Sequence, residues 1–279
     1  MEKRYLMVHA DDAGLALSHN RAIQDGMLNG SISSCSLMVP TPWFYEMAQF
    51  CLAHPALDYG LHLTLTGEWK YYPFRPLSPA EAIPSLLTPE GYLHPTRAPF
   101  QEVVKAEEAY VELKNQIEHA LHLGLTPTHL DSHMYVLGMR QDLLEVYTQL
   151  GKDYQLPILY STKLISYTGT KAHNLALPLT DWEQIYMATF SHFEQEGLTA
   201  FYDQVLDQLP TGLSQILIHP AYASASMDLI TLDHPNFGAA WRAEDAAYFN
   251  SIHCQEKLQQ NNIELVGWKE VVNLNLLRA

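Results

Sequence analysis

The chain has 279 residues, enough to bury a substantial core. Hydrophobic residues make up 47% of it and charged residues 17%, a balance that argues against long disordered tails. A formal charge of −15 argues against duplex nucleic acid or an anionic membrane surface as partner, since both call for a basic face.

The opening residues, MEKRYLMVHADD, lack the apolar centre of a secretion signal, and no stretch approaches the length of a membrane-spanning helix. Cys35, Cys51 and Cys254 form an odd, sparse set without a CxxC spacing, as expected of reduced core thiols in a cytoplasmic protein. The unusual count is histidine, at 14.

In chain order, apolar β-prone runs fall at 5–9, 34–39, 58–65, 128–131, 157–161, 215–219 and 264–266. Helix-length amphipathic stretches lie between them at about 18–29, 42–53, 99–123, 140–151, 181–196, 198–209 and 242–261. Ser18 reads as a helix N-cap, and Thr41 as another, followed by Pro42 at the first helical position. Short strands alternating with helices predict a parallel sheet with helices outside it. Seven such units point to an α/β fold, a seven-stranded (β/α) barrel, complete or incomplete, rather than an open doubly wound sheet, forming a single domain over 1–279. No GxGxxG or GxxxxGK[ST] follows the first strand, so neither a dinucleotide site nor a P-loop is indicated. Two long non-helical stretches, about 66–98 and 220–241, are expected to serve as lids or substrate walls.

In a barrel of this kind the reacting groups project from the C-terminal strand ends. Asp11 and Asp12 follow the first strand, His62 sits in GLHL at the third, THLDSH with Asp131 and His133 follows the fourth, and His219 precedes Pro220 at the sixth. Neighbouring residues of a strand alternate in direction, so Asp11 and Asp12 face one place only if the strand has already begun to turn. Facing one site, they are expected to divide the work, one ligating a dication and the other acting as general base. Two histidines and one carboxylate leave coordination positions open for water and substrate, as hydrolytic metal centres require. His219, across the barrel, is placed to protonate a leaving group.

HADDAG, GLHLTLT, THLDSH and HPAY, in this order from residue 9 to 222, resemble the motif set of the YdjC-like carbohydrate deacetylases. The resemblance implies a deformed (β/α) barrel, a divalent metal ion (magnesium or zinc) and removal of an acetyl group from an N-acetylated sugar. Matched motif by motif, it implies Asp12, His62 and His133 as metal ligands, Asp11 as the base that activates water, and His219 as the general acid. Where many members continue DSHxH, with a second histidine, this chain has Tyr135, which is therefore not counted as a ligand and marks a different subgroup.

Asp131 either supports a ligand histidine or caps the turn. Arg242 either reaches back to orient a catalytic carboxylate or pairs at the surface with Glu244 or Asp245. His9 and His129 are expected to point away from the site into packing, and His19, His173 and the other helix and loop histidines to be surface or packing residues. His234 lies in the second long loop, in reach of substrate. Trp43, Trp69, Tyr71, Tyr72, Phe74 and Trp241 are candidates for stacking on sugar rings or for closing the core.

The expected activity is metal-dependent deacetylation of an N-acetylated sugar or oligosaccharide. Hydrolysis of another amide, an ester or a phosphoester, and sugar binding without turnover, are the alternatives. A homodimer is the default assembly because cyclic dimers are the commonest.

Overall fold

The computed structural model describes residues 3–168, 179–180, 182–273 and 277–278. His173 and position 181, where a helix is expected to begin, lie outside the described residues.

Nine strands are described: β1 (Arg4–Ala13), β2 (Ser34–Leu37), β3 (Tyr59–Leu63), β4 (Leu130–Ser132), β5 (Leu179–Thr180), β6 (Gln184–Met187), β7 (Gly212–Ile218), β8 (Ile263–Leu265) and β9 (Leu277–Arg278). The main sheet runs β4-β3-β2-β1-β7-β6, with β8 also on β1, and every pairing in it is parallel. β5 and β9 make a separate antiparallel pair. β1 is central and packed on both faces: Leu6, Met7, Val8 and Ala10 are fully buried, which is why this strand reads as an apolar run rather than an alternation. Asp11 of β1, His62 of β3, Met187 of β6 and Leu217 of β7 line one cavity, so the sheet curls on itself into a deformed, incomplete barrel.

The helices α1 (Leu17–Asn29), α2 (Phe44–Ala53), α3 (Arg97–Val103), α4 (Ala106–His122), α5 (Gln141–Asp153), α6 (Ile165–Thr168), α7 (Phe190–Gln195), α8 (Leu198–Asp207), α9 (Ala225–Ile230), α10 (Ala239–Phe249), α11 (Ile252–Gln260) and α12 (Trp268–Asn273) fill the connections. Among the described residues no helix is long and apolar enough to cross a membrane. Cys35, Cys51 and Cys254 are buried and free.

The structure departs from the expected elements at several points. The stretch expected as one helix over 181–196 contains β6, because QIYM pairs along β7 and the edge position outweighs helical periodicity. The 99–123 helix breaks where Val104 and Lys105 turn extended, and the 242–261 helix breaks at Ser251, whose hydroxyl caps the next segment by accepting from the Cys254 amide. The run at 157–161 contributes only a parallel bridge between Ile158 and Leu130. Ser18 lies inside α1 and is not its cap. Thr41 donates to the Gly14 and Met38 carbonyls instead of capping α2, which begins at Phe44.

The long 66–98 segment is irregular apart from two short 3-10 turns, two isolated β-bridges and the start of α3, and it is tied down from beneath. The buried Glu112 carboxylate of α4 accepts from the amides of Leu77 and Ser78, and Glu108 accepts from the amide of Ser85. The 220–241 segment contains α9, which begins where the Ser224 hydroxyl accepts from the Met227 amide.

Candidate active site

The two adjacent aspartates meet in one place because β1 bulges. Three steps along β1, from Ala10 to Ala13, span only two on β2, from Cys35 to Leu37, and Asp12 takes a left-handed φ of 61°. That conformation costs an L-residue roughly 1–2 kcal/mol, least for Asp and Asn. In return both carboxylates face the cavity.

Asp12 Oδ1 lies 3.4 Å from His62 Nε2 and 3.2 Å from His133 Nδ1. Neither ring is aligned to hydrogen-bond it, and this buried oxygen has no hydrogen-bond partner. The opposite ring nitrogens explain the arrangement. His62 Nδ1 donates to Asp131 Oδ1 at 2.6 Å, and His133 Nε2 donates to Glu68 Oε2 at 2.8 Å. In the neutral imidazole, the form a cation would bind, each carboxylate fixes the tautomer that leaves a lone pair directed at Asp12 Oδ1. One oxygen and two imidazole nitrogens, all within 4.8 Å of one another, thus converge on a common point, and this donor set suits a divalent cation.

The local field favours positive charge there. Burial opposes protonation of His133, yet Glu68 and Asp12 raise its pKa to about 9. Burial opposes it at His62 too, but Asp131 and Asp11 hold its pKa well above the usual value. Burial works against charge on Asp12 as well, and the Arg242 guanidinium, with His133 and His62, keeps its carboxyl well below the ordinary range. Arg242 Nη2 donates to Asp12 Oδ2 at 2.8 Å while its Nε donates to the Phe237 carbonyl. Of the two readings of Arg242, the structure takes the one in which it reaches a site carboxylate: the side chain is 1% exposed and 230 residues from its partner.

Asp11 and His219 occupy the neighbouring wall. His219 Nε2 is 3.7 Å from Asp11 Oδ2, and its ring packs 4.8 Å from Phe237. Its amide donates to Asp245, whose other oxygen accepts from the Tyr202 hydroxyl. Burial lowers the His219 pKa more than Asp12 and Asp11 restore it.

Asp131 supports histidines rather than capping a turn: besides His62 it accepts from His9 Nε2 at 2.9 Å, with His129 Nε2 3.7 Å away. The expectation that His9 points away is therefore corrected. His9 and Asp11 are two residues apart on β1 and share a strand face, and His9 Nε2 also lies 3.3 Å from Asp11 Oδ1. His129 is buried, stacked on Trp268, and Gly60 leaves room for its ring, since a Cβ there would approach it to 2.5 Å. His19 is buried behind the site, bonded to the Asp11 carbonyl.

The cavity measures about 340 Å³. Tyr135 lines it as a wall residue with a left-handed backbone, its ring parallel to Tyr160. The six aromatics considered for sugar stacking lie elsewhere: Trp69, Phe74 and Trp241 are buried in packing, whereas Tyr135, Tyr167 and Phe237 face the cavity. His234 does line it, packed 4.8 Å from Trp69. Glu68 was not singled out from the sequence, because it sits in an irregular loop with no periodicity to mark it.

Residues 5–260 match the family described as YdjC-like protein. The chain belongs to the YdjC-like family. Among curated relatives, it is 30% identical over 278 residues to a carbohydrate deacetylase of Thermus thermophilus, covering 96% of this chain and 94% of that one. It is 29% identical over 265 residues to a carbohydrate deacetylase of Thermoanaerobacter pseudethanolicus, covering 95% and 98%. Its fold is similar to that of a solved structure from Enterococcus faecalis V583, provisionally described as a cellobiose-phosphate cleavage protein, with a TM-score of 0.72 at 24% identity, covering 96% of this chain and 99% of that one. The YdjC-like match embraces all four strand-end segments.

Proposed function

We propose that this protein hydrolyses the acetamido bond of an N-acetylated sugar or oligosaccharide, using one divalent cation, magnesium or zinc, held by Asp12, His62 and His133. The observation that carries the reading is the convergence of those three donors beside Asp11 and His219 in one cavity. The carbohydrate deacetylases among its relatives support the choice of substrate.

A cation in that position supplies Lewis-acid polarisation of the acetyl carbonyl and makes a nearby water easier to deprotonate. Asp11 takes the proton from the attacking water. Its carboxylate lines the cavity, with Oδ1 beside His9 and Oδ2 toward His219. His219, whose Nε2 lies 3.7 Å from Asp11 Oδ2, delivers a proton to the nitrogen as the carbon–nitrogen bond breaks, and the proton taken up by Asp11 returns to it by way of a water. Acetate and a free amine are the products. Arg242 keeps Asp12 oriented and ionised throughout, and Phe237 shields one face of His219 from water.

Acetate release from a panel of N-acetylated mono- and disaccharides, measured on metal-stripped protein with magnesium, zinc, cobalt or manganese restored, tests the reading. Metal-dependent release that disappears in Asp11→Asn supports it. Turnover of esters or nitrophenyl phosphate in place of the acetamides would replace it with another hydrolase.

A further inference from the structure

Two of the three converging donors are fastened to adjacent residues of one loop. Glu68 accepts from His133 Nε2 at 2.8 Å. The Trp69 ring lies 5.3 Å from the Arg242 guanidinium, which donates to Asp12. The Glu68 side chain is 11% exposed and Trp69 2% exposed, so both contacts are shielded from water.

His133 needs such help more than His62 does. His62 lies within β3, and the residue that orients its ring, Asp131, is its register partner on β4. His133 lies just beyond β4, where Met134 and Tyr135 both turn left-handed and no strand pairing holds the backbone. Its ring direction is set instead by a carboxylate from the 66–98 segment. That segment is seated on its own anchors: the Gly67 amide donates to the His94 carbonyl, the Tyr72 hydroxyl donates to the Leu15 carbonyl, and Glu112 holds the amides of Leu77 and Ser78.

We propose that Glu68 is a positioning residue for the cation site. Its carboxylate holds His133 with Nδ1 as the ligating nitrogen, and it makes cation affinity depend on how the 66–98 segment is seated. The inference rests on the metal-site reading above. Glu68 acts through His133 and touches no reacting atom.

The test titrates metal-stripped full-length protein with zinc or magnesium chloride by calorimetry, for wild type, Glu68→Gln, Glu68→Ala and Glu90→Gln, the last an exposed position in the same segment. Nitrogen-15 spectra of the histidines, recorded above pH 9 where His133 is neutral without a cation, report its tautomer in each, and Glu68→Gln keeps the test open if the alanine variant folds poorly. The expected result is affinity reduced ~10–100-fold in Glu68→Ala, less in Glu68→Gln, whose amide oxygen still accepts, and unchanged in Glu90→Gln. The Nε2-protonated tautomer of His133 becomes mixed in Glu68→Ala, and saturating cation restores kcat to within about threefold of wild type. Affinity and tautomer unaltered in Glu68→Ala would overturn the positioning role alone. So would a loss of kcat that saturating cation does not restore, since Glu68 would then act on substrate directly. Failure of the wild type to bind either cation would overturn the metal-site reading and the positioning role together.

Discussion

At the scale of single residues, the proposed chemistry is divided between two neighbours that a regular strand would send to opposite faces. The left-handed Asp12 turns its carboxylate toward His62 and His133, and Asp11 faces His219. Their separate partners predict separable defects. Asp11→Asn is expected to lower kcat by ~10²–10⁴-fold while leaving cation affinity within a few-fold of wild type. His62→Ala is expected to abolish tight cation binding and activity together. Calorimetry alongside acetate release distinguishes the two patterns. Arg242→Met removes the guanidinium that donates to the buried Asp12 carboxylate, and breaking that buried pair costs about 3–5 kcal/mol. Urea unfolding of the metal-stripped variant measures that loss. A loss below about 1 kcal/mol would mean that water replaces the guanidinium at Asp12.

At the scale of elements, what could be read in advance depended on how far apart the interacting parts lie. The strand ends were legible because each motif stands next to its own apolar run, so Asp11, Asp12, His62, His133 and His219 could be placed without knowing the neighbours. The role of Asp131 was left open because its partners, His9 and His62, lie 122 and 69 residues away. The partner of Arg242 is 230 residues distant, and Glu68 belongs to a segment whose shape comes from buried acids of α4 rather than from local preference. The β6 strand was hidden for a related reason: its pairing with β7 is a tertiary contact that a helical period within 181–196 masks. The seating of the 66–98 segment gives a prediction of its own. Glu112→Ala removes the acceptor for the Leu77 and Ser78 amides and for Gln116 Nε2, leaving buried donors unsatisfied at about 1–3 kcal/mol each. Limited proteolysis is expected to cut within 66–98 in this variant and to spare the wild type.

At the scale of the whole molecule, two buried groups behind the site give the stability opposite dependences on pH. Burial and the nearby Arg242 lower the His19 pKa to about 3 from an ordinary 6.5, so the unfolded chain binds the extra proton first. Its contribution is present above pH 6.5 and is lost as the pH falls toward 3. Burial raises the Asp245 carboxyl to about 7 from 3.8, so the folded protein holds that proton longer. Its contribution is present below pH 3.8 and is lost as the pH rises through 7. Chemical unfolding across pH 3–8 is therefore expected to show a flatter acid limb in His19→Gln and a flatter neutral limb in Asp245→Asn. Parallel profiles in variant and wild type would remove these groups from the account.

The central claim is that a single cation at Asp12, His62 and His133 enables amide hydrolysis at the base of the barrel cavity. The most direct measurement follows acetate release from an N-acetylated disaccharide as cation is added stepwise to metal-stripped protein. Activity is expected to climb linearly to a plateau at one equivalent, and Asp12→Ala to stay inactive at every ratio. Full activity before any cation is added, or a plateau unchanged in Asp12→Ala, would contradict that claim.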